Sequence, residues 1–221
     1  MEITMIDFTL IWESLPSLYQ GTLVSLQITF VAALIGMGLG SILGLAEISS
    51  LKVIRLCVGI YVTLIRGTPM LVQILFIFYV LPQLGLMIAP FWAASLAIGL
   101  NSSAYVSQII RSGVNAVPKG EIEAAYTLGF SRLQTMIYII FPQALRMTLP
   151  ALGNELITLV KDSSLASIIG VMELTKKASV IRSRTYDAFS ILLAISIIYL
   201  VLTATLSLGI KYFEKRTKSY V

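Results

Sequence analysis

The residues able to do chemistry in this chain are few, and they fall in three places. Lys161 and Asp162 are neighbours in LITLVKDSSL, with Ser163 after them and Glu155 one to two helical turns before. Asn101, Ser102, Ser103 and Tyr105 sit together in IGLNSSAYVS, and Arg66 precedes Gly67-Thr68-Pro69. Each place lies in or beside a strongly apolar stretch. A charged side chain at the centre of a bilayer costs at least about 2.5–3.5 kcal/mol, so each such group is a functional candidate. Counted from Pro150, Lys161 is 11 residues along a helix, roughly 17 Å and about half of a roughly 30 Å hydrocarbon core. Arg66 is the same 11 residues past Arg55, and Asn101 to Tyr105 lie six to ten residues before Arg111. Three segments therefore bring polar groups to one depth, as a solute site between helices requires. Lys161, Asn101 and Ser102 can donate to an anionic group, while Asp162 and Ser163 can accept from a cationic one. Structural work suits the same residues. Lys161 and Asp162 project about 100° apart and can each pair with another helix, Glu155 can pair with Arg146, and Asn101 and Ser102 can join helices. Arg66, beside a helix-breaking Gly-Thr-Pro, reads more readily as structural than as a ligand contact.

The elements that hold these groups are membrane helices. The chain has 221 residues, 57% hydrophobic and 12% charged, with a mean hydropathy of +0.90, against about 25% charged residues in an ordinary soluble domain. No charge occurs between Glu13 and Glu47, between Arg66 and Arg111, or between Asp187 and Lys211, and each run exceeds the roughly 20 residues of a spanning helix. The first run is too long for a signal-peptide core and follows Glu2, Asp7 and Glu13 rather than basic residues. Histidine is absent and Cys57 stands alone, which excludes a disulfide within the chain, His-based triads and HExxH zinc sites. The net charge of +5 is scattered over loops, giving no reason to invoke nucleic acid.

The pattern predicts an all-α polytopic membrane protein, a single transmembrane domain over 1–221 with about five helices: 18–46, a second within 56–81, 88–110, 148–170 and 188–211. Pro82, Gly85 and Pro90 divide the second from the third. Because 135–160 contains Pro142, Arg146 and Pro150, the fourth span is expected to start near Pro150, leaving 131–146 as a separate interfacial helix opened by a Ser131/Gln134 capping box. Lysines and arginines at 52, 55, 111, 119, 132, 146, 211, 215, 216 and 218 mark one face as cytoplasmic and put the N-terminus outside. Residues 171–187 dissent, with Lys176, Lys177, Arg182 and Arg184 on the outer side. Gly36, Gly38, Gly40 and Gly44 are expected to be close-packing residues of the first span.

Within the cytoplasmic loop, about 112–146, the stretch KGEIEAAYTLG at 119–129 predicts a short helix ended by Gly129. Its apolar side is Ile122, Ala125, Tyr126 and Leu128, and Glu121 and Glu123 favour its start. Two turns are not stable alone, so the helix must pack on its own bundle or on a partner.

Glu123-Ala124-Ala125, then Gly129, then Ile139, Phe141 and Pro142 resemble the EAA motif of the membrane subunits of ABC importers, with Phe141 where that pattern has leucine. RGTPMLVQ at 66–73 and LVKDSSLASIIGVMEL at 159–174 look like signatures of the polar amino acid permease subfamily, and roughly 17–213 fits its layout. The resemblance implies a type I ABC importer (MetI-like) fold with a cytoplasmic coupling helix, docked to a separate ATPase dimer through Glu121, Glu123, Ala124, Ala125 and Gly129. It implies a second permease subunit, the same chain or a related one, an extracytoplasmic solute-binding protein and a prokaryotic plasma membrane. ATP and magnesium belong to the ATPase, because no GxxxxGK[ST] occurs here and the chain needs no cofactor of its own. An amino acid cargo gives Asn101, Ser102, Tyr105, Glu155, Lys161, Asp162 and Ser163 a role as substrate residues, and Glu155 favours a basic side chain. The competing expectation is a self-sufficient ion-coupled carrier or channel, which calls for inverted repeats that five spans do not supply. An intramembrane enzyme would need histidine or paired catalytic carboxylates.

Overall fold

The computed structural model describes residues 6–218; Glu2 lies outside them, as do the side chains of Arg216 and Lys218. The element that organises the rest is α1 (Phe8–Glu47), 40 residues long, or about 60 Å at about 1.5 Å per residue. It begins well before the expected residue 18. Asp7 caps its first turn by accepting from Leu10 N at 2.9 Å, and Leu10, Ile11 and Leu18 pack with Leu174, Ala178, Ile191 and Ile195 rather than lying in a loose tail. Pro16 removes one backbone donor without ending the helix.

Against α1 lies α4 (Pro90–Asn115). Gly36, Gly40 and Gly44 recur every four residues, which puts them on one face, and that face meets Ser102, Val106 and Ile110 in order. A Cβ at these glycines would stand 2.6 Å from Ser102 Oγ, 2.6 Å from Val106 Cβ and 2.7 Å from Ile110 Cβ. Gly99 answers from α4, where a Cβ would meet Ile35 Cβ at 2.7 Å. Gly38 is the exception to the sequence expectation: nothing lies within 4 Å of its Cβ position, because it is half a turn from the seam. Residue numbers rise together along the two helices, so α1 and α4 are parallel and a returning segment must join them.

That segment is α2 (Lys52–Arg66) followed by α3 (Met70–Tyr79), bent by 99° at the intervening break and followed by a 3-10 turn at Leu81–Leu84. The expected span within 56–81 is therefore not one straight helix. The break is held by Gln73, whose Nε2 donates to Ile65 O at 2.7 Å and Thr68 Oγ1 at 2.8 Å. Asn101 Nδ2 on α4 donates to Gln73 Oε1 at 3.0 Å. Carbonyls freed at the end of α2 thus find donors without water, as an apolar setting demands.

Beyond α4 come α5 (Lys119–Thr127) and α6 (Arg132–Thr135), opened by the expected capping box: Ser131 Oγ accepts from Gln134 N and Gln134 Oε1 from Ser131 N. The predicted separation of 131–146 from a span starting at Pro150 does not occur. A π turn at Met136–Ile140 carries α6 straight into α7 (Phe141–Asp162). Proline at 142, in the first turn of α7, has no N–H to donate, and the wider turn takes up that loss. After α7 a 3-10 turn (Ser163–Ile169) leads to α8 (Leu174–Thr185) and then α9 (Ala188–Lys218).

Glu173 opens α8. Fully buried, its carboxylate accepts from Thr175 N, Lys176 N, Ser25 Oγ on α1 and Tyr199 OH on α9 at 2.6–3.2 Å. At the same end Ser190 Oγ on α9 accepts from Asp7 N at 3.0 Å, and Ser190 N donates to Asp187 at 3.0 Å. The hydroxyl and the backbone N–H of Ser190 hold the Asp187 carboxyl below its ordinary range. The first halves of α1 and α9 thus stand with α8 as one bundle. Among the described residues, α1 and α9 are each long and apolar enough to cross a membrane, and the bent α2–α3 pair is a third such segment.

The seam yields a paired test. Gly40→Leu should lower the thermal unfolding free energy of the purified protein by about 1–3 kcal/mol through overpacking, while Gly38→Leu should stay within about 0.5 kcal/mol of the parent. Equal effects would contradict the packing described.

Candidate functional site

Where α2 breaks, its last residue is left at the edge of a cavity. The Arg66 guanidinium lies 5.1 Å from the centre of the Tyr105 ring, a cation–π placement. Across from it, Glu155 on α7 accepts a 2.7 Å hydrogen bond from Ser102 Oγ on α4. Ser102 is itself fixed by the glycine seam, since it fills the space over Gly36. One Glu155 oxygen is thereby occupied, and the other has no partner among the described residues.

Arg66, Asn101, Tyr105, Glu155, Thr158 and Asp162 line a cavity of about 580 Å³. Two further cavities, of about 360 and 440 Å³, share Arg66 and Tyr105 as a common wall. Gln108 lines both, and in the second Glu47 accepts from Gln108 Nε2 at 2.7 Å and meets Arg111 at 3.5 Å. That last contact is the only ion pair among the described residues. Arg66, Glu155 and Asp162 therefore face one cavity without neutralising one another. One fixed cation and two carboxylates with open hydrogen-bonding capacity suit a ligand that carries both charges, with one positive charge in excess. Among the described residues no cluster of His, Cys, Asp or Glu could hold a metal ion.

The sequence-derived set is only partly brought together. Asn101, Tyr105, Glu155 and Asp162 line the cavity, and Ser102 acts from behind Glu155. Lys161 is exposed and lines none of these cavities, because one residue along a helix turns a side chain away by about 100°. Ser163 is fully buried and donates to Val160 O at 2.7 Å, which satisfies its hydroxyl at the end of α7. The alternatives shift too. Glu155 is bound by Ser102 and not by Arg146, Lys161 and Asp162 form no ion pair, and Arg66, read first as structural, stands at the wall of three cavities. Thr158 and Gln73 went unnoticed. A lone glutamine in MLVQILF was a signal, since a buried amide needs partners.

At the far end of α4 from this turn, α5 packs through Ile122, which is partly buried against Val117, Ile140 and Ala144, and Ala125 on the same helix is also buried. Ala125 thus belongs to the chain's own core and is not free for docking; the spacing could not separate the two alanines. Ala124 and Glu123 are exposed, and Glu121 accepts a hydrogen bond from Gln143. Gly129 has φ +85°, with its N–H on Tyr126 O and Phe130 N–H on Ala125 O, the paired closure that ends a helix with a left-handed residue. Tyr126, Leu128, Leu133 and Tyr138 are exposed around it, an apolar patch of the kind that marks a protein contact.

The family described as binding-protein-dependent transport system inner membrane component matches residues 36–219. The chain is 38% identical to the arginine transport system permease protein ArtQ of Bacillus subtilis, over 97% of this chain and 98% of that one. It is 37% identical to the glutamine transport system permease protein GlnP of Escherichia coli K12, over 96% and 98%. The crystal structure of an amino acid ABC transporter with histidines superposes with a TM-score of 0.91 at 42% identity, covering 96% of this chain and 100% of that chain. The inward-facing MetNI methionine ABC transporter, at a TM-score of 0.72 and 18% identity over 96% and 99% of the chains, shares the fold. With the match covering most of the chain and the site lying between its helices, this protein belongs to the binding-protein-dependent transport system inner membrane components, the permease subunits of ABC importers, which transport and do not themselves catalyse.

Proposed function

We propose that this permease subunit carries polar amino acids across a prokaryotic inner membrane, with basic amino acids as preferred cargo. The observation that carries the reading is the charge count of the large cavity: Arg66 against Glu155 and Asp162, none paired with another. A basic amino acid brings one carboxylate and two cations, the complement of that set. Arg66 takes the carboxylate through its two-pronged guanidinium, Asp162 and the free amide oxygen of Asn101 take the α-ammonium, and Glu155 takes the side-chain cation. Arginine, L-cystine and glutamine appear in the names of relatives 37–39% identical to this chain, and all are polar amino acids.

Five crossings, made by α1, the bent α2–α3 pair, α4, α7 and α9, put the N-terminus outside and the C-terminus in the cytoplasm. The outer end holds Asp7, the 82–90 turn and α8; the inner end holds Glu47, Arg111 and the loop from 116 to 140. The four basic residues of α8 sit on the outer side because Leu174, Ala178 and Ile181 tie that helix to the first halves of α1 and α9, and packing outweighs their charge preference. Being an importer permease, the subunit works with an ATPase and a binding protein. In our reading two permease subunits meet two ATPases, which bind ATP and magnesium, and the binding protein delivers cargo at the outer end. The ATPase grips Glu121, Glu123, Ala124 and Gly129 together with Tyr126 and Leu128.

Two outcomes are expected from the assembled importer in proteoliposomes. Glu155→Gln and Asp162→Asn should each lower ATP-dependent arginine uptake about tenfold, from the loss of one charged hydrogen bond, with glutamine uptake less affected; unchanged uptake and selectivity in both variants would remove the cargo assignment. Ala124→Trp, at an exposed position, should leave the subunit folded while reducing both ATPase co-purification and uptake, and normal values of both would defeat the docking assignment.

A further inference from the structure

A smaller cavity, of about 260 Å³, lies between the turn after α7, α8 and α9, away from the charged cavity. Its polar lining includes Lys176 and Arg182 of α8 with Ser179 and Ser167, and its apolar wall is Leu192 and Ile195 of α9. Among the described residues none of these four polar side chains has a hydrogen-bond or ion-pair partner, and no acidic residue lines the cavity. The nearby acids are engaged elsewhere: Glu173 accepts from four donors, and Asp187 accepts from Ser190. Two unneutralised cations and two free hydroxyls therefore converge on a space whose other wall is greasy.

We propose that this cavity is a binding site for an anionic phospholipid, its phosphate held by Lys176, Arg182, Ser179 and Ser167 and an acyl chain laid along α9. The position fits a lipid. Leu192 and Ile195 lie near the start of a helix apolar enough to cross a membrane, so the cations stand at the outer edge of the hydrocarbon layer, at the depth of lipid headgroups. Phe189 and Leu192, three residues apart on one side of α9, are about half-exposed and extend the apolar wall along which an acyl chain would lie. A guanidinium and an ammonium flanked by hydroxyls match the several acceptor oxygens of a phosphate diester. An acidic protein surface would meet the cations but would leave that apolar wall facing water. A lipid seated here would touch the turn after α7, α8 and α9 together, and so would brace the outer bundle.

The test uses the complete importer, delipidated in detergent and titrated with dioleoylphosphatidylglycerol or dioleoylphosphatidylcholine, with bound lipid counted by native mass spectrometry. The phosphatidylglycerol form should be retained about tenfold more tightly, and Lys176→Gln with Arg182→Gln should remove roughly that factor. Lys177→Gln with Arg184→Gln, which changes the same net charge outside the cavity, should leave it intact. Ser179→Leu fills the space without altering charge and should also lower retention, so a folding defect in the double variant does not decide the matter. Equal retention of the two lipids, equal loss in the two charge pairs, or competition by inorganic phosphate with no advantage for the lipid would each overturn the proposal. Unchanged lipid retention in the Lys176/Arg182 variant with loss of binding-protein stimulation would also overturn it, and would reassign the surface to a protein partner.

Discussion

Three glycines of α1 let the Ser102, Val106 and Ile110 side chains of α4 lie directly on its backbone, and the polar cavity depends on that contact. Gly36 leaves room for the Ser102 hydroxyl, and Ser102 turns Glu155 toward the centre of the fold. Because small residues let backbones approach where the hydrophobic effect gives helices little reason to associate, the seam supplies packing and places a carboxylate in one step. Parallel running of α1 and α4 then requires a return path, and the return path is where the helix breaks and presents Arg66.

The polar side chains set between the helices of this subunit divide into two kinds. Gln73 uses its amide on Ile65, Thr68 and Asn101, and Glu173 accepts from four donors across three helices; both join elements and have nothing left for a ligand. Arg66, Asp162 and one oxygen of Glu155 are left open toward a cavity. In a medium without water a group kept unpaired costs several kcal/mol, and in the proposed function the second kind is what the charged cargo satisfies as it passes.

Much of this was legible in the sequence because the bilayer is a simple solvent. Charge-free runs located the apolar segments, Ser131 and Gln134 announced a helix start that the structure contains, and Gly129 announced a left-handed stop. What failed were inferences from single residues about direction. Lys161 and Asp162 share a depth but not a face, and no count of residues separates them without the neighbouring helix. Proline at 150 suggested a helix start, yet α7 runs through it, because α6 and the π turn had already begun the rod and absorbed Pro142. Gly67-Thr68-Pro69 reads as a helix breaker and Arg66 beside it as structural; the 99° bend at that break puts Arg66 at the edge of the cavity. Glu173 gave no local signal, as its partners Ser25 and Tyr199 are 148 and 26 residues away.

The central claim is that a basic amino acid occupies the space between Arg66 and Glu155 on its way through. The most direct measurement is a structure of the assembled importer with arginine bound within the membrane. The account predicts the guanidinium of the cargo at hydrogen-bonding distance from the Glu155 carboxylate and its carboxylate against Arg66. Arginine seated elsewhere, with both of these side chains untouched, would contradict it.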